Sequence, residues 1–168
     1  MEKLIDYISG EEVNATPEEI YAVQPYSKIL VEDYGYPKEM IQTHPQYRVK
    51  SSPSARKGYP IDIAVFEPDE KGNKKFKIVV ENKRNTRKDG QAQLEDYLRF
   101  CEAKIGVWFN GNDSLYIEKI EESGNIHFKE IPAIHKYKQK LEEIGLYKRK
   151  DLKSTHNLKE IFSWYDWW

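Results

Sequence analysis

The sequence predicts a mixed α/β fold of the α+β type, with helices flanking a sheet, and three stretches of the chain indicate it. Residues 61–66 and 76–81 are rich in β-branched and aromatic side chains, and the segment 68–73 between them is rich in turn-forming residues. After Asp89 and Gly90, apolar side chains recur at helical spacing. These patterns predict an antiparallel hairpin followed by a helix.

Helices are also predicted ahead of the hairpin. Residues 3–8 form a short helix candidate. A longer helix should begin in the segment 16–19, because its Thr can cap unpaired amides, its Pro fits the first turn, and its two Glu favour the positive end of the helix dipole. Pro25 should kink or restart this helix, and the Gly-Tyr-Pro segment 35–37 should end it.

The remaining elements follow from apolar runs that are bounded by turn signals. The further strands are predicted at residues 41–49, 105–109, 115–120 and 126–131. A turn-rich basic stretch, 51–58, separates the first of these from the hairpin, and the last three should form a meander. Residues 134–145 are predicted to form a helix.

The length of 168 residues fits one compact domain, which we assign to residues 1–147. Residues 148–168 start basic and end in a run of five residues that contains three tryptophans. Exposed tryptophans are unfavourable, so a chain rarely ends on them without a partner. We therefore expect this segment to lead into a following domain that the sequence does not include.

The charge distribution is more informative than the net charge of −1, which identifies no partner. Between residues 71 and 88 stand eight Lys and Arg residues and a single acidic one, Glu81. Basic residues also precede Asp62, whereas the first twenty residues are acidic. Such a separation of charge could steer a polyanion to one face of the molecule.

The cysteine content and the hydropathy of the sequence indicate the cellular compartment in which the protein is expected. Cys101 is the single cysteine and cannot form an internal disulfide, and no N-terminal apolar run resembles a signal peptide or a membrane span. We expect a soluble cytoplasmic protein without a membrane partner. The histidines are scattered along the sequence without paired spacing, so a zinc site is not expected.

The hairpin brings together residues that carry chemistry. If its strands pair symmetrically about the turn, the opposed pairs are Phe66–Lys77, Ala64–Val79 and Asp62–Glu81. Directly opposed residues of an antiparallel pair have Cβ atoms about 4.5–5.5 Å apart on the same face. Lys83 shares that face with Glu81, because side chains alternate along a strand, and Asn82 points away.

Two opposed carboxylates repel each other, and a divalent cation would explain their pairing. Mg²⁺ prefers oxygen ligands, typically one or two carboxylates with waters and phosphate oxygens, and Mn²⁺ could substitute for it. With Lys83 beside a phosphate, the predicted reaction is hydrolysis of a phosphodiester bond. The alternative is that Asp62 and Glu81 are solvated surface residues and that Lys83 is a salt-bridge partner.

Gln93 and Tyr97 stand four residues apart on the helix after the hairpin, so their side chains share one face. Either could hydrogen-bond a phosphate oxygen or a catalytic side chain. The alternative is that Gln93 is an ordinary surface residue and that Tyr97 belongs to the core.

Taken in order, Pro60-Ile61-Asp62, Glu81-Asn82-Lys83 and Gln93-x-x-x-Tyr97 resemble the PD-(D/E)XK nuclease superfamily. More narrowly, they are similar to the N-terminal nuclease region of type I restriction enzyme R subunits, over residues 17–112. The resemblance implies a restriction-endonuclease-like fold, with a central mixed sheet and a catalytic antiparallel hairpin flanked by helices. It also implies a metal-dependent endonuclease that acts on double-stranded DNA.

The resemblance assigns roles to individual residues. Asp62 and Glu81 would bind the metal, Lys83 would act at the scissile phosphate, and Gln93 and Tyr97 would assist DNA binding and cleavage. Glu19 would match an acidic residue of the first helix that approaches the metal, although Glu18 fits the spacing almost as well. The basic residues near this site, which we expect to bind DNA, are Lys57, Arg84, Arg87 and Lys88.

Type I R subunits continue into a helicase motor, and related proteins fuse this module to an adenine methyltransferase. The resemblance therefore implies further domains of the same polypeptide and restriction-modification subunits as partners. The sequence has no Gly-x-x-x-x-Gly-Lys-Ser/Thr loop for ATP. Two rival functions are a non-catalytic DNA-binding or assembly module on the same fold and a small interaction domain.

Overall fold

A computed structural model describes residues 1–50, 52–84 and 86–137. Its centre is a six-stranded sheet formed by β3 (Ile41–Gln42), β6 (Ile63–Pro68), β7 (Lys74–Glu81), β8 (Ile105–Phe109), β9 (Ser114–Glu122) and β10 (Asn125–Ile131). The strand order is β10-β9-β8-β7-β6-β3. The sheet is mixed, because β7 is antiparallel to β6 and parallel to β8. The predicted fold class is confirmed.

Helices cover both faces of the sheet. Helix α1 (Gln24–Glu32) buries Tyr26 and Leu30 against one face, and helix α2 (Arg87–Arg99) buries Leu94 and Leu98 against the other. Successive side chains of a strand point to opposite faces of the sheet. Side chains of β6 and β7 therefore enter two separate hydrophobic clusters, one beneath each helix.

The hairpin of β6 and β7 carries the predicted register at its site end. Ala64 pairs with Val79, as predicted, and Ile63 pairs with Val80. The predicted pairing of Phe66 with Lys77 is wrong, because a bulge shifts the register and Phe66 pairs with Phe76. The extra residue, Lys77, lies on the turn side of the Val65–Ile78 pair, so the alignment near Asp62 is unaffected.

The chain before the hairpin departs from prediction at its start. Residues 3–8 are not helical: β1 (Lys3–Ile5) pairs with β2 (Glu12–Asn14), because cross-strand pairing overrides the weak propensity of so short a segment. The predicted longer helix is present, and Thr16 Oγ1 accepts a hydrogen bond from Glu19 N at 3.2 Å. It restarts near Pro25, where a π-helical turn (Glu19–Val23) gives way to α1.

Smaller elements complete the part of the chain that the structure describes. Strands β4 (Arg48–Val49) and β5 (Tyr59–Pro60) pair with each other, and a 3₁₀ turn (Lys38–Met40) precedes β3. Of the helix predicted at 134–145, residues 134–137 are not helical, and the remainder lies outside the described residues. No helix among the described residues has the length and apolar character that crossing a bilayer requires.

Candidate active site

The candidate site lies at one end of the hairpin. Asp62 directly precedes β6 and Glu81 is the last residue of β7, so the Ile63–Val80 pairing, continued by one step, brings them opposite each other. Asp62 Oδ2 accepts a hydrogen bond from Asn82 N at 2.7 Å, which fixes the carboxylate across the strand ends. The two predicted carboxylates are therefore neighbours.

Glu81 has the most unusual environment of the site. It is 1% exposed, and neither carboxylate oxygen accepts a hydrogen bond from a described residue. The ammonium of Lys83 lies 3.6 Å from Oε2, at ion-pair distance. Burial, with the nearby charge of Asp62, raises the pKa of Glu81 to about 8. A buried carboxylate without hydrogen bonds is costly unless a cation compensates it.

The charges of the site perturb one another. Burial also raises the pKa of Asp62, although the Asn82 amide and Lys83 oppose the shift. For Lys83 burial alone would lower the pKa, but the negative charges around it, first that of Glu81, prevail and raise it. Lys83 therefore stays protonated between the carboxylates and Tyr97.

Glu18 and Glu19, the two candidate metal ligands of the first helix, have different surroundings. Burial and the charge of Asp62 raise the pKa of Glu18, and Lys83 opposes the shift, so Glu18 belongs to the electrostatic environment of the hairpin carboxylates. Both Glu19 oxygens have other partners: Gln24 Nε2 donates to Oε2 at 3.0 Å, and His44 Nε2 lies 3.1 Å from Oε1. The charge of Glu19 also acts on Asp62, so both glutamates are near the hairpin site, and the hydrogen bonds already made by Glu19 favour Glu18 as the candidate metal ligand.

Gln93 and Tyr97 meet on α2 as their spacing predicts. Gln93 Nε2 donates a hydrogen bond to Tyr97 Oη at 2.9 Å. Tyr97 is buried, and its pKa is raised by burial and by the charge of Glu81. The helix begins immediately after Thr86, whose Oγ1 accepts from Asp89 N at 3.2 Å. This cap fixes where Tyr97 meets the hairpin.

The four predicted DNA-binding residues are all exposed, but they differ in their contacts. The Arg84 guanidinium lies 5.6 Å from the centre of the Tyr21 ring, next to the first helix. Arg87 forms an ion pair with Glu130 of β10. Lys57 and Lys88 lie on the surface.

Sequence reasoning missed Asp6 and His44. Together with Glu19 they bring one ligand atom each to within 4.8 Å of one another. They come from β1–β2, the π-helical turn and the segment after β3, so no local spacing could have indicated the cluster. The contribution of Asn82 was also overlooked: its backbone amide holds Asp62, and its side-chain amide donates to Phe109 O at 3.4 Å.

The donor set of the hairpin fits a divalent cation. Mg²⁺ takes hard oxygen ligands and is commonly held by one or two carboxylates, with waters filling the other positions. Asp62 and Glu81 supply such oxygens, and those of Glu81 have no hydrogen-bond donor among the described residues. A bound cation would take the place of the proton that the raised pKa of Glu81 retains, and it would satisfy oxygens that have no donor among the described residues.

The fold is restriction-endonuclease-like. It has a mixed sheet with helices on both faces, and one end of its antiparallel hairpin carries Asp62, Glu81 and Lys83. A family model described as the type I restriction enzyme R protein N terminus matches residues 17–134, and the chain belongs to this family. Comparisons with curated proteins and with solved structures gave no significant match. The resemblance to the N-terminal region of type I restriction enzyme R subunits is thereby confirmed.

Proposed function

We propose that this domain is a Mg²⁺-dependent endonuclease of the PD-(D/E)XK type that hydrolyses phosphodiester bonds of double-stranded DNA. The observation that carries the proposal is Glu81, a buried carboxylate beside Asp62 that accepts no hydrogen bond from a described residue and lies 3.6 Å from the Lys83 ammonium. Membership of the type I restriction enzyme R protein N-terminal family supports it.

Asp62 and Glu81 would hold the cation, and Glu18 would approach it from the first helix. Mn²⁺ could replace Mg²⁺, since both accept carboxylate and water ligands. When bound, the cation would polarise the phosphoryl oxygens and lower the pKa of a coordinated water.

The chain's own residues contribute charge and hydrogen bonds. Protonated Lys83 would neutralise part of the carboxylate charge and stabilise negative charge that develops on the scissile phosphate. Tyr97 accepts a hydrogen bond from Gln93, which leaves its hydroxyl hydrogen directed away from that bond and able to bind a phosphate oxygen. Gln93 thus orients Tyr97.

The exposed basic residues would bind the DNA backbone around this site. Arg84, Lys57 and Lys88 could contact phosphates directly, whereas Arg87 would first have to leave Glu130. Phosphate contacts contribute affinity and make it dependent on salt, but they carry no sequence information. We propose that other parts of a larger cytoplasmic restriction-modification assembly, including a motor or methyltransferase domain of the same polypeptide, deliver the DNA.

Metal binding is tested first, by calorimetric titration of Mg²⁺ and Mn²⁺ into the wild type and Asp62→Ala. Wild-type chain should bind, and Asp62→Ala should bind at least about tenfold more weakly, because one of the carboxylate ligands is gone. Asp96→Ala, which removes an exposed carboxylate of α2, is the matched control and should bind like the wild type. Equal affinity of wild type and Asp62→Ala would refute the metal site and favour a non-catalytic module.

Cleavage is tested separately by nicking of supercoiled plasmid with the full-length protein, comparing wild type with Lys83→Ala. We expect Lys83→Ala to lose about 10²-fold or more in rate while still binding DNA, because it removes a charge needed in the transition state. Lys104→Ala, a change at an exposed lysine before β8, serves as control. Unchanged nicking by Lys83→Ala would exclude that lysine from the mechanism.

A further inference from the structure

A hydrogen-bonded network of polar side chains lies near the proposed metal ligand Asp62, and its members are not themselves proposed ligands. It connects three parts of the chain that are distant in sequence: the β1–β2 hairpin, the first helix and the segment after β3. Its side chains are Asp6, Glu19, Gln24, Thr43 and His44.

Gln24 is the centre of this network. Its Nε2 donates to Asp6 Oδ1 at 2.7 Å and to Glu19 Oε2 at 3.0 Å. Its Oε1 accepts from Tyr7 N at 2.8 Å. The amide of Gln24 therefore joins the two carboxylates and is itself held by the backbone of the β1–β2 hairpin.

Asp6 anchors the network in the interior. It is 1% exposed, and its Oδ2 accepts from Thr43 Oγ1 and from Ser9 N, each at 2.7 Å. Burial by itself would raise the pKa of Asp6, but these hydrogen bonds and that from Gln24 outweigh it and lower the pKa. Asp6 is therefore an ionised carboxylate with hydrogen bonds to both oxygens, unlike Glu81, whose oxygens have no donor among the described residues.

His44 closes the network on its other side. Its Nε2 lies 3.1 Å from Glu19 Oε1 and 3.9 Å from Asp6 Oδ1. Glu19 is thus held at both oxygens, by His44 and by Gln24. It is also the first residue of the π-helical turn, in which Gln24 N bonds to Glu19 O.

We propose that His44, Gln24 and Glu19 are positioning residues, which hold the start of the π-helical turn so that the adjacent Glu18 can approach a cation held by Asp62 and Glu81. This inference rests on the proposed function. A π-helical turn inserted in a helix changes the direction of the residues on either side of it, and such turns are frequent at functional sites. Without the network, Glu18 would have to be ordered by the metal itself, which would cost affinity.

The same groups could instead bind a cation directly, because Asp6, Glu19 and His44 have one ligand atom each within 4.8 Å. The hydrogen bonds argue against this. A cation on Glu19 and Asp6 would have to share or displace the bonds that Gln24 donates to both carboxylates. The positioning role requires no rearrangement, and the two possibilities predict different metal stoichiometry.

The test is a double-mutant cycle on Mn²⁺ affinity, measured by calorimetry on the full chain with wild type, Glu18→Gln, His44→Ala and the double variant. Residues behind metal ligands typically alter metal affinity by about 10- to 100-fold. We expect losses in that range for each single variant. The double variant should bind no more weakly than Glu18→Gln alone, because His44 acts only through Glu18.

His44→Gln provides the matched control, because its amide can still donate to Glu19. It should bind Mn²⁺ within about threefold of the wild type, a change of under about 0.7 kcal/mol. If His44→Ala fails to fold, Gln24→Glu replaces it in the cycle, since that change keeps the size of the side chain but removes the bridging donor. Thermal unfolding without metal identifies such a failure.

The outcomes separate the inference from the proposed function. Losses that multiply in the double variant, or one fewer Mn²⁺ bound by His44→Ala, would overturn the positioning role and make His44 a ligand. Wild-type affinity in His44→Ala would overturn it as well. If only Asp62→Ala weakens binding, the proposed nuclease site stands without this network. If the wild type binds no Mn²⁺, the proposed function itself fails.

Discussion

At the scale of single residues, the site is defined by one carboxylate in an unfavourable environment. Glu81 is buried at the end of β7, and neither of its oxygens accepts a hydrogen bond from a described residue. Its neighbour Asp62 has an amide donor, Asn82 N at 2.7 Å, and the Lys83 ammonium lies 3.6 Å from Glu81 Oε2. The proposed catalytic role would explain why such an environment is tolerated, since active sites commonly contain groups with strongly shifted pKa values.

This environment predicts how stability depends on pH. Because the pKa of Glu81 is raised to about 8 in the folded chain, unfolding releases its proton at intermediate pH. The unfolded chain therefore holds fewer protons than the folded one between the ordinary pKa of Glu, about 4.3, and about pH 8. The free energy of unfolding should fall in this window by up to about 1.4 kcal/mol per pH unit from this group. Denaturation with urea at several pH values measures the slope.

Glu81→Gln is the matched variant for this prediction. It removes the titrating proton but retains a polar side chain of the same size, so the slope between about pH 5 and 8 should become shallower whatever the absolute stability. Adding Mg²⁺ should stabilise the wild type more at about pH 8 than at pH 5, because the cation competes with the proton. An equal slope in both proteins would contradict the unfavourable environment of Glu81.

At the scale of elements, helix α2 must approach the sheet closely for Tyr97 to reach the site. Gly90 allows this, because an added Cβ would lie 2.4 Å from Cδ1 of Trp108 on β8. The other end of the helix is held by Lys119 of β9, whose Nζ donates to Leu98 O and Cys101 O, each at 2.8 Å. Both ends of α2 are thus fixed by strands of the sheet.

Gly90→Ala tests this close approach, because two effects oppose each other. Alanine raises helix propensity by about 1 kcal/mol over glycine, but forcing a methyl group into a packed contact typically costs about 1–3 kcal/mol. The added methyl group would lie 2.4 Å from the Trp108 ring, so the steric cost should exceed the gain in helix propensity. The variant should therefore lose about 1–2 kcal/mol of unfolding free energy. Chemical denaturation provides the measurement. Asp96→Ala, on the exposed side of the same helix, should change stability by less than about 0.5 kcal/mol, and stabilisation by Gly90→Ala would contradict the packing.

At the scale of the whole molecule, strand β7 organises both the core and the site. It pairs with β6 on one side and β8 on the other, and its side chains enter the clusters beneath both helices. Its last residue is Glu81, so this central strand ends directly at the proposed metal ligands. The chain that follows the sheet returns to the turn after α1, where Tyr137 N donates to Tyr34 O at 2.9 Å.

The domain boundary proposed from the sequence is tested by ending the chain after residue 147. The described strands of the central sheet lie between residues 41 and 131, so this deletion removes none of them. We expect one cooperative thermal transition, with a midpoint within about 4 °C of the full chain, which corresponds to about 1 kcal/mol or less. Loss of a cooperative transition would show that residues 148–168 belong to the folded domain.

Much of the site could be predicted because it depends on local periodicity. Alternation continued past the end of β7 predicts that Lys83 lies near Glu81, and their charged groups are 3.6 Å apart. Helical spacing brings Gln93 to Tyr97, at 2.9 Å. The hairpin itself follows from two β-rich runs and a turn, and its register holds at Ala64–Val79. Such features need only neighbouring residues, so the sequence by itself determined the hairpin, the following helix and the order of the candidate residues.

The remaining features depend on contacts between distant segments, and only the tertiary structure decided them. Residues 3–5 became a strand because β2 pairs with them, and Glu81 lost its access to water because sheet and helices surround it. The different surroundings of Glu18 and Glu19 were set in the same way. Adjacent residues differ little in sequence, but Gln24 and His44 hold both oxygens of Glu19, whereas burial and the charge of Asp62 raise the pKa of Glu18.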